Sequence, residues 1–310
     1  MKILFLNHKI KNCGVYQYGY RIKNILEKSI DIIYAYQEVD TYDEYAELLR
    51  KTKYDAIIYN YCAPTMPWLN INTLNKKIKS IGLMHPGSPY IFDKICILDP
   101  TFKDINNFFS IPRPIYENYT IKNLTNENKR FIEYNKQNIP IFGSFGFACG
   151  YKGFAKMIEL INNQYDNCII KIVMPSAEFY PNNYFEIEKN KCLQVKRKSG
   201  VELKITNSFF TTDELLLFLE SNTMNIFLYD YVNPNPNVGI SSVIDLALSV
   251  NTPIGISNSY MFRNIYSDEI CLYKTSIKNC LINSNKILDK YREYYSYKNF
   301  LEKLEYILNS

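Results

Sequence analysis

Short apolar runs alternate with amphipathic stretches from the first residue onward. KILFLN opens as a strand, apolar residues recur at helical spacing from Val15 to Lys28, DIIYAY is a second strand, and a further helical stretch lies near Tyr42 to Lys51. YDAIIYNY (54–61), IKSIGLMH (78–85) and KICILD (94–99) are continuous in apolar residues, as strands buried on both faces of a parallel sheet are. The pattern breaks at SIPRPIYENYT, and residues 117–138 are polar, rich in Asn and Lys, and without strand character. A second alternation follows: strand 139–146, helix 154–162, strands 167–175 and 201–209, helix 213–219 and strand 224–230. A helix from about Gly239 to Ser249, a strand over 252–257 and two helices within 281–310 complete it.

This order predicts an α/β fold of two doubly wound, Rossmann-like domains facing a cleft, with no internal repeat that would suggest a solenoid. The expected boundaries are a first domain over 1–117, a connection over 118–138, a second domain over 139–290, and a terminal helix over 291–310 that packs back on the first. Ligands of such sheets sit at the carboxyl ends of the strands, which makes a cleft between the halves the expected site.

Composition narrows the class. The chain has 310 residues, 47% of them hydrophobic, and 36 Lys and Arg against 31 Asp and Glu for a net +5. That is material for two cores, and it excludes disordered, collagen-like and disulfide-scaffold proteins. No run approaches the ~18–20 apolar residues of a membrane span, and MKILFLNHKIKNCG reaches Lys9 too soon for a leader peptide. A soluble cytoplasmic protein is expected. The eight cysteines are scattered singly, several inside strand-like runs, and read as buried free thiols of a reducing compartment. His8 and His85 stand too far apart to suggest a His/Cys zinc site, so no metal is expected. The basic excess is diffuse except in KNKCLQVKRKSG (189–200), read as a solvated loop, with contact to an anionic polymer or lipid headgroups as the alternative. Nucleic acid is not an expected partner, whereas peripheral contact with a membrane face stays open.

Four junctions carry candidate chemistry. In FLNHKIKNCGVYQYGY a strand ends near Asn7, and Gly14 precedes a helix whose first turn holds Tyr16 and Gln17. Such a glycine either lets backbone approach a ligand or simply makes a turn. In IGLMHPGSPY, His85 closes a strand, which points it at the ligand edge of the sheet unless it only caps the loop. FGSFGFACGYKGF places Gly143, Gly146, Gly150 and Gly153 around Lys152, a loop able to close on a diphosphate. It falls one residue short of a Walker pattern, and no G-x-G-x-x-G exists, so neither a P-loop nucleotidase nor a dinucleotide dehydrogenase fits. In NPNPNVGISSVIDLALSVNTPI, Gly239 precedes a helix with Ser241 and Ser242 expected in its first turn, suited to phosphate oxygens, and Asp245 one turn on, suited to vicinal hydroxyls.

Together these residues resemble a retaining GT-B glycosyltransferase of the group that includes sucrose-synthase-like and lipid mannosyl transferases. The resemblance covers most of the chain sparsely. It implies that Asn12 to Gln17 form the glycine loop under the donor sugar and that His85 lies near the reacting sugar. The family's Gly-Arg-x4-Lys-Gly loop is echoed by Gly146 to Gly153, so Lys152 would bind the donor diphosphate; Phe147 occupies the place of the arginine. The Glu-x7-Glu signature is echoed by Asn237-x7-Asp245 followed by LALSVNTPI, with neither glutamate present and Asp245 one residue out of register with Thr252-Pro253.

The implied activity is transfer of a sugar from a nucleotide-diphosphate donor to a glycan or lipid-linked acceptor in surface polysaccharide synthesis, with retention and without metal or other cofactor. His85 and Lys152 would be catalytic, with Gly14, Tyr16, Gln17, Gly146, Asn237, Gly239, Ser241, Ser242 and Asp245 binding substrate. Lys152 and the Gly239–Ser242 segment would stabilise charge developing on the leaving phosphate. The departed phosphate would take the acceptor's proton, and domain closure would exclude water. Paired carboxylates of the glycosidase kind are missing. The alternatives are a GT-B-shaped protein that binds nucleotide or glycan without catalysis, as the missing arginine and glutamates permit, and a transferase of a phosphoryl-type group on the same fold.

Overall fold

A computed structural model describes residues 1–11, 13–30, 32–117, 124–176, 183–232 and 239–310. The chain divides into two compact units, one of Met1–Pro114, Pro236–Ile240 and Tyr294–Ser310, the other of Ile115–Asn235 and Ser241–Glu293.

The first unit runs β1 (Lys2–Asn7), α1 (Gly14–Leu26), β2 (Ile33–Glu38), α2 (Tyr42–Lys51), β3 (Ala56–Tyr61), β4 (Lys79–Met84), β5 (Lys94–Ile97) and β6 (Phe108–Ser110). These make one six-stranded parallel sheet in the order β2-β1-β3-β4-β5-β6. Strand periodicity sends alternate residues to opposite faces. Ile3, Phe5, Ile58 and Ile81 join one core with Ile22 and Ile25 of α1, while Leu4, Leu6, Ile57 and Tyr59 join another with Tyr45 of α2. Chain reversal about β1 puts the topological switch point between β1 and β3, with Asn7 and Tyr61 at its carboxyl edge.

In the second unit come α3 (Asn126–Glu133), β7 (Ile141–Phe145), α4 (Phe154–Gln164), β8 (Asn167–Val173), α5 (Tyr184–Gln194), β9 (Gly200–Thr206), α6 (Thr212–Glu220), β10 (Met224–Phe227), α7 (Val243–Leu248), β11 (Ile254–Ile256) and α8 (Ile277–Tyr294). Its five-stranded parallel sheet is ordered β11-β10-β7-β8-β9, so the switch point falls between β7 and β10. A reciprocal capping box between Thr211 and Glu214 starts α6.

The last helix, α9 (Tyr297–Asn309), belongs to the first unit. Phe300, Leu301, Leu304, Ile307 and Leu308 enter the same core as Ile3 and Phe5. Burial at ~1.5–3 kcal/mol per large apolar side chain makes this attachment integral to the unit even after its ordering cost. Lys79 and Lys94 donate to the carbonyls of Leu308 and Ile307, at 2.6 and 3.0 Å, where cations suit a helix carboxyl end.

Three readings of the sequence change. The stretch 189–200 is not all loop: α5 runs to Gln194 and buries Phe185, Glu188 and Cys192 at spacings of three and four residues, a stripe that the surrounding lysines obscured. Three of those lysines pair locally, Lys189 with Glu186, Lys191 with Glu188 and Lys198 with Asp166. The helix expected from Gly239 begins only at Val243, because the backbone N–H of Ser241 is drawn to the Met261 carbonyl at 3.0 Å. Strand β6 and helix α3 had no clear apolar period and were not anticipated. All eight cysteines are free, six of them buried. Among the described residues no helix is long and apolar enough to cross a membrane.

Candidate functional site

In the first unit the carboxyl edge of the sheet carries a one-way chain of hydrogen bonds. Asn7 ends β1, Asn60 lies in β3 and His85 follows β4; all three are buried. Asn60 Nδ2 donates to the Val15 carbonyl at 2.7 Å and to Asn7 Oδ1 at 2.9 Å. A carbonyl can only accept, which fixes that amide and leaves Asn60 Oδ1 facing His85 Nε2 at 2.8 Å. The proton therefore sits on Nε2 of His85, and Nδ1 keeps a lone pair. Asn7 Nδ2 donates in turn to the Tyr16 carbonyl at 3.2 Å and to Tyr36 Oη at 3.0 Å, and Tyr36 donates to Glu38 at 2.9 Å. From His85 to Glu38 every link points the same way. Burial, with Arg113 and His8 nearby, holds the His85 pKa well below its ordinary value, so the imidazole is neutral at pH 7.

Helix α1 seats this relay. Gly19 lies directly on it: a Cβ there would come within 2.5 Å of Asn60 Nδ2 and 2.7 Å of Asn7 Cγ. Tyr16 serves the same network, its hydroxyl donating to Glu38 at 2.7 Å, and burial followed by that bond pushes its pKa up to about 12. Gln17 Nε2 donates to the Lys11 carbonyl at 2.8 Å and so braces the loop after β1. At Gly14 a Cβ would meet nothing within 4 Å, so the fold does not demand glycine there. Gly239 rests on the residue after His85: a Cβ there would stand 2.2 Å from the Pro86 ring.

The second unit offers a cation instead. Lys152 ends a 3-10 turn, Gly150–Lys152, after β7, and is buried. Its Nζ donates to the hydroxyl of Tyr229 and lies 4.1 Å from the centre of that ring and 5.3 Å from that of Tyr151. No carboxylate pairs with it among the described residues. Burial lowers its pKa to about 8, with Cys149 the one group acting in the opposite sense. Two glycines make the fold-over possible. Gly146, at φ +147°, leaves room for the Lys152 stem, whose Cε and Nζ would stand 3.2 Å from a Cβ there. Gly153, at φ +64°, approaches the Leu228 carbonyl so closely that a Cβ would lie 1.9 Å from its oxygen.

Two expected backbone donors are spent elsewhere. The Gly146 N–H donates to the Val173 carbonyl at 3.0 Å and the Ser241 N–H to Met261, so neither is aimed at a ligand. Ser241 instead donates its hydroxyl to Tyr229 Oη at 3.3 Å, which places it against the Lys152 group. Ser242 is the exposed residue before α7, and Asp245 is buried within it. Asn237 lies outside the described residues, as does Asn12. Among the described residues no cluster of three His, Cys, Asp or Glu side chains could hold a metal ion.

Sequence reasoning missed His8, Asn7, Asn60, Gly19 and Tyr229. Three of them carried a signal: an asparagine beside the carboxyl end of an otherwise apolar strand, in KILFLN and in AIIYNY, is a polar group buried at the ligand edge, and His8 follows the first of those strands directly.

Two tandem parallel sheets, each with polar chemistry at its carboxyl edge, make this the fold of the GT-B glycosyltransferases. The structure of Anabaena HepE in complex with UDP-glucose is similar over 100% of both chains, with a TM-score of 0.67 at 11% identity. The lipopolysaccharide outer core galactosyltransferase WaaB is similar over 98% of this chain and 99% of its own, with a TM-score of 0.58 at 12% identity. A glycosyltransferase from Rickettsia africae covers 99% of this chain and 97% of its own, with a TM-score of 0.57 at 12% identity. No protein-family model matches the sequence, and no curated protein does.

Proposed function

We propose that the protein is a glycosyltransferase that takes a sugar from a nucleoside-diphosphate donor, with Lys152 as the group that holds and stabilises the leaving diphosphate. The observation that carries this reading is a buried ammonium with a tyrosine hydroxyl and two aromatic faces around it and no carboxylate among the described residues. Burying an uncompensated charge is costly, and a binding site repays that cost when an anion arrives. The fold supports it, since HepE has been seen with UDP-glucose and with UDP, and an alpha-glucosyltransferase of this shape with UDP-glucose.

In the reaction the bond from the anomeric carbon to the phosphate oxygen breaks and its electron pair stays on the diphosphate. Lys152 neutralises that charge while positive charge spreads over the sugar ring. An acceptor hydroxyl forms the new glycosidic bond, and its proton passes to the departed phosphate, a course that retains configuration. Charge stabilisation by Lys152 lets this run without metal. His85, neutral and with Nδ1 as an acceptor, receives a hydrogen bond from a sugar hydroxyl. Asp245 binds the nucleotide ribose, and Ser242 and Gly239 border the donor. The acceptor is a glycan or lipid-linked glycan of surface polysaccharide synthesis, met in the cytoplasm or at the inner membrane face.

Calorimetric titration of UDP, GDP, CDP and ADP in excess EDTA tests this on the wild type and on Lys152→Ala. One diphosphate should bind, and the variant should lose that binding. Failure of all four to bind the wild type would overturn the reading. Release of that diphosphate with a new glycosidic bond, using any acceptor, would separate the enzyme from a protein of this shape that only binds.

A further inference from the structure

His8 follows β1 at the switch point, and its side chain is completely buried. The Ile10 N–H donates to Nδ1 at 3.1 Å, so the ring's single proton must sit on Nε2 when it is neutral. That Nε2 is buried and has no hydrogen-bond partner among the described residues. An unpaired buried donor is costly, and a fold tolerates it where a ligand completes it. The surroundings point the same way. The ring meets Tyr16 edge-on at 5.9 Å in the first turn of α1, whose N-cap residue Cys13 makes no side-chain cap. His8 is also one of the groups that lower the pKa of the other imidazole, His85.

We infer that His8 is a sugar-recognition residue, its Nε2–H donating to a hydroxyl oxygen of the glycosyl ligand received beside His85. The inference rests on the proposed glycosyl transfer and adds a residue to it. A hydroxyl fits better than a phosphate on chemical grounds. Burial outweighs the nearby Asp40 and Glu38 and lowers the His8 pKa, so the ring is an uncharged donor, and those same carboxylates repel an anion. Between them, His8 offers a donor and His85 a lone pair, the complement of one or two hydroxyls that must each give and receive. The hydroxyl can belong to the donor sugar or to the acceptor.

The chain has only two histidines, so histidine-selective 15N NMR resolves both rings directly. The free protein at pH 7 should show two neutral rings, each protonated on Nε2. UDP-glucose, UDP-galactose and UDP-N-acetylglucosamine are compared with UDP, and methyl glucoside is added to the UDP complex. A shift of His8 Nε2 with a nucleotide sugar but not with UDP assigns the donor sugar; a shift only with the glucoside assigns the acceptor. Either supports the inference. In parallel, His8→Phe should cost about tenfold in affinity for that sugar ligand and leave UDP binding unchanged, while His8→Gln, which keeps a side-chain N–H, recovers part of it. A His8 ring protonated on Nδ1 or charged would overturn the inference whatever binds. So would sugar binding by the wild type with His8 silent and His8→Phe unaffected. If the wild type binds no nucleotide at all, the proposed function fails and takes this residue's role with it; the variants play no part in that outcome.

Discussion

The two sheets have the same plan and opposite chemistry. Each is parallel, each starts at a central strand, and each carries a buried polar group at its carboxyl edge. After β1 the chain builds an uncharged relay, one imidazole, two amides and a tyrosine, anchored on Glu38. After β7 it builds a cation with no carboxylate to answer it among the described residues. One backbone arrangement therefore carries two kinds of chemistry, and the side chains at the strand ends decide which: Asn7, Asn60 and His85 in one unit, the Gly146 to Lys152 loop in the other.

Substituting the packed glycine of each site should break that parallel most severely. Gly153→Ala puts a Cβ on the Leu228 carbonyl oxygen and strains a left-handed residue, so a loss of at least about 3 kcal/mol in the second unit's stability is expected by urea unfolding, together with loss of nucleotide binding. Gly19→Ala presses on two buried amides rather than on backbone, and should cost the first unit about 2–3 kcal/mol by leaving relay bonds unmade. If Gly153→Ala unfolds no earlier than the wild type, the close approach that shapes the Lys152 loop is not as described.

Lys152→Met should separate stability from function. Removing a buried charge that lacks a counterion raises stability by about 2 kcal/mol, while nucleoside-diphosphate affinity falls about 30–100-fold. Lys171 is the control. It is also buried, with its pKa lowered to about 8, but its ammonium donates to the Ile132 carbonyl at 2.7 Å near the end of α3. Lys171→Met should leave nucleotide affinity where it was. Equal losses in the two variants would mean that Lys152 is merely another structural lysine.

Asn60→Asp tests the neutral side of the comparison. The carboxylate cannot donate to Val15 or Asn7, so about 2 kcal/mol of stability should go. It would also face His85 Nε2 with a negative charge and draw the imidazole's pKa upward, visible as a cationic ring in histidine NMR at pH 6. An unmoved His85 titration would show that Asn60 does not set its protonation.

Much of the scaffold could be read from the chain because continuous apolar strands and 3.6-residue periods leave few alternatives. Lys152 was legible for a local reason, being held among four glycines. At Gly14 the sequence left two readings, ligand approach or a turn, since a glycine in sequence does not reveal whether its Cβ position is crowded; here that position is open. Gly19 shows the converse, a glycine inside a helix whose need appears only when Asn7 and Asn60, far apart in sequence, meet under it. Tyr229 and the His85 tautomer were equally out of reach, because each is decided by a partner on another strand or loop. His8 was within reach: the strand-end argument applied to His85 applies to it as well.

The mildest test is pH, and the two units respond with the same sign in different windows. In the second, the folded Lys152 pKa of about 8 lies below the usual 10.5, so the unfolded chain binds more protons between those values and stability rises as pH rises through that window. In the first, His8 and His85 are both held below the usual 6.5, so acid below that value favours the unfolded chain and stability falls. Nucleotide affinity should follow the charge of Lys152 alone. Bound diphosphate favours the ammonium and so raises its pKa; from pH 8 to pH 9 the wild type should then lose affinity for UDP about fivefold as the free protein sheds that proton. Lys171→Met should keep this decline and Lys152→Met should lose it, as titration calorimetry at the two pH values would show. A decline that survives in Lys152→Met would move the binding charge to another residue.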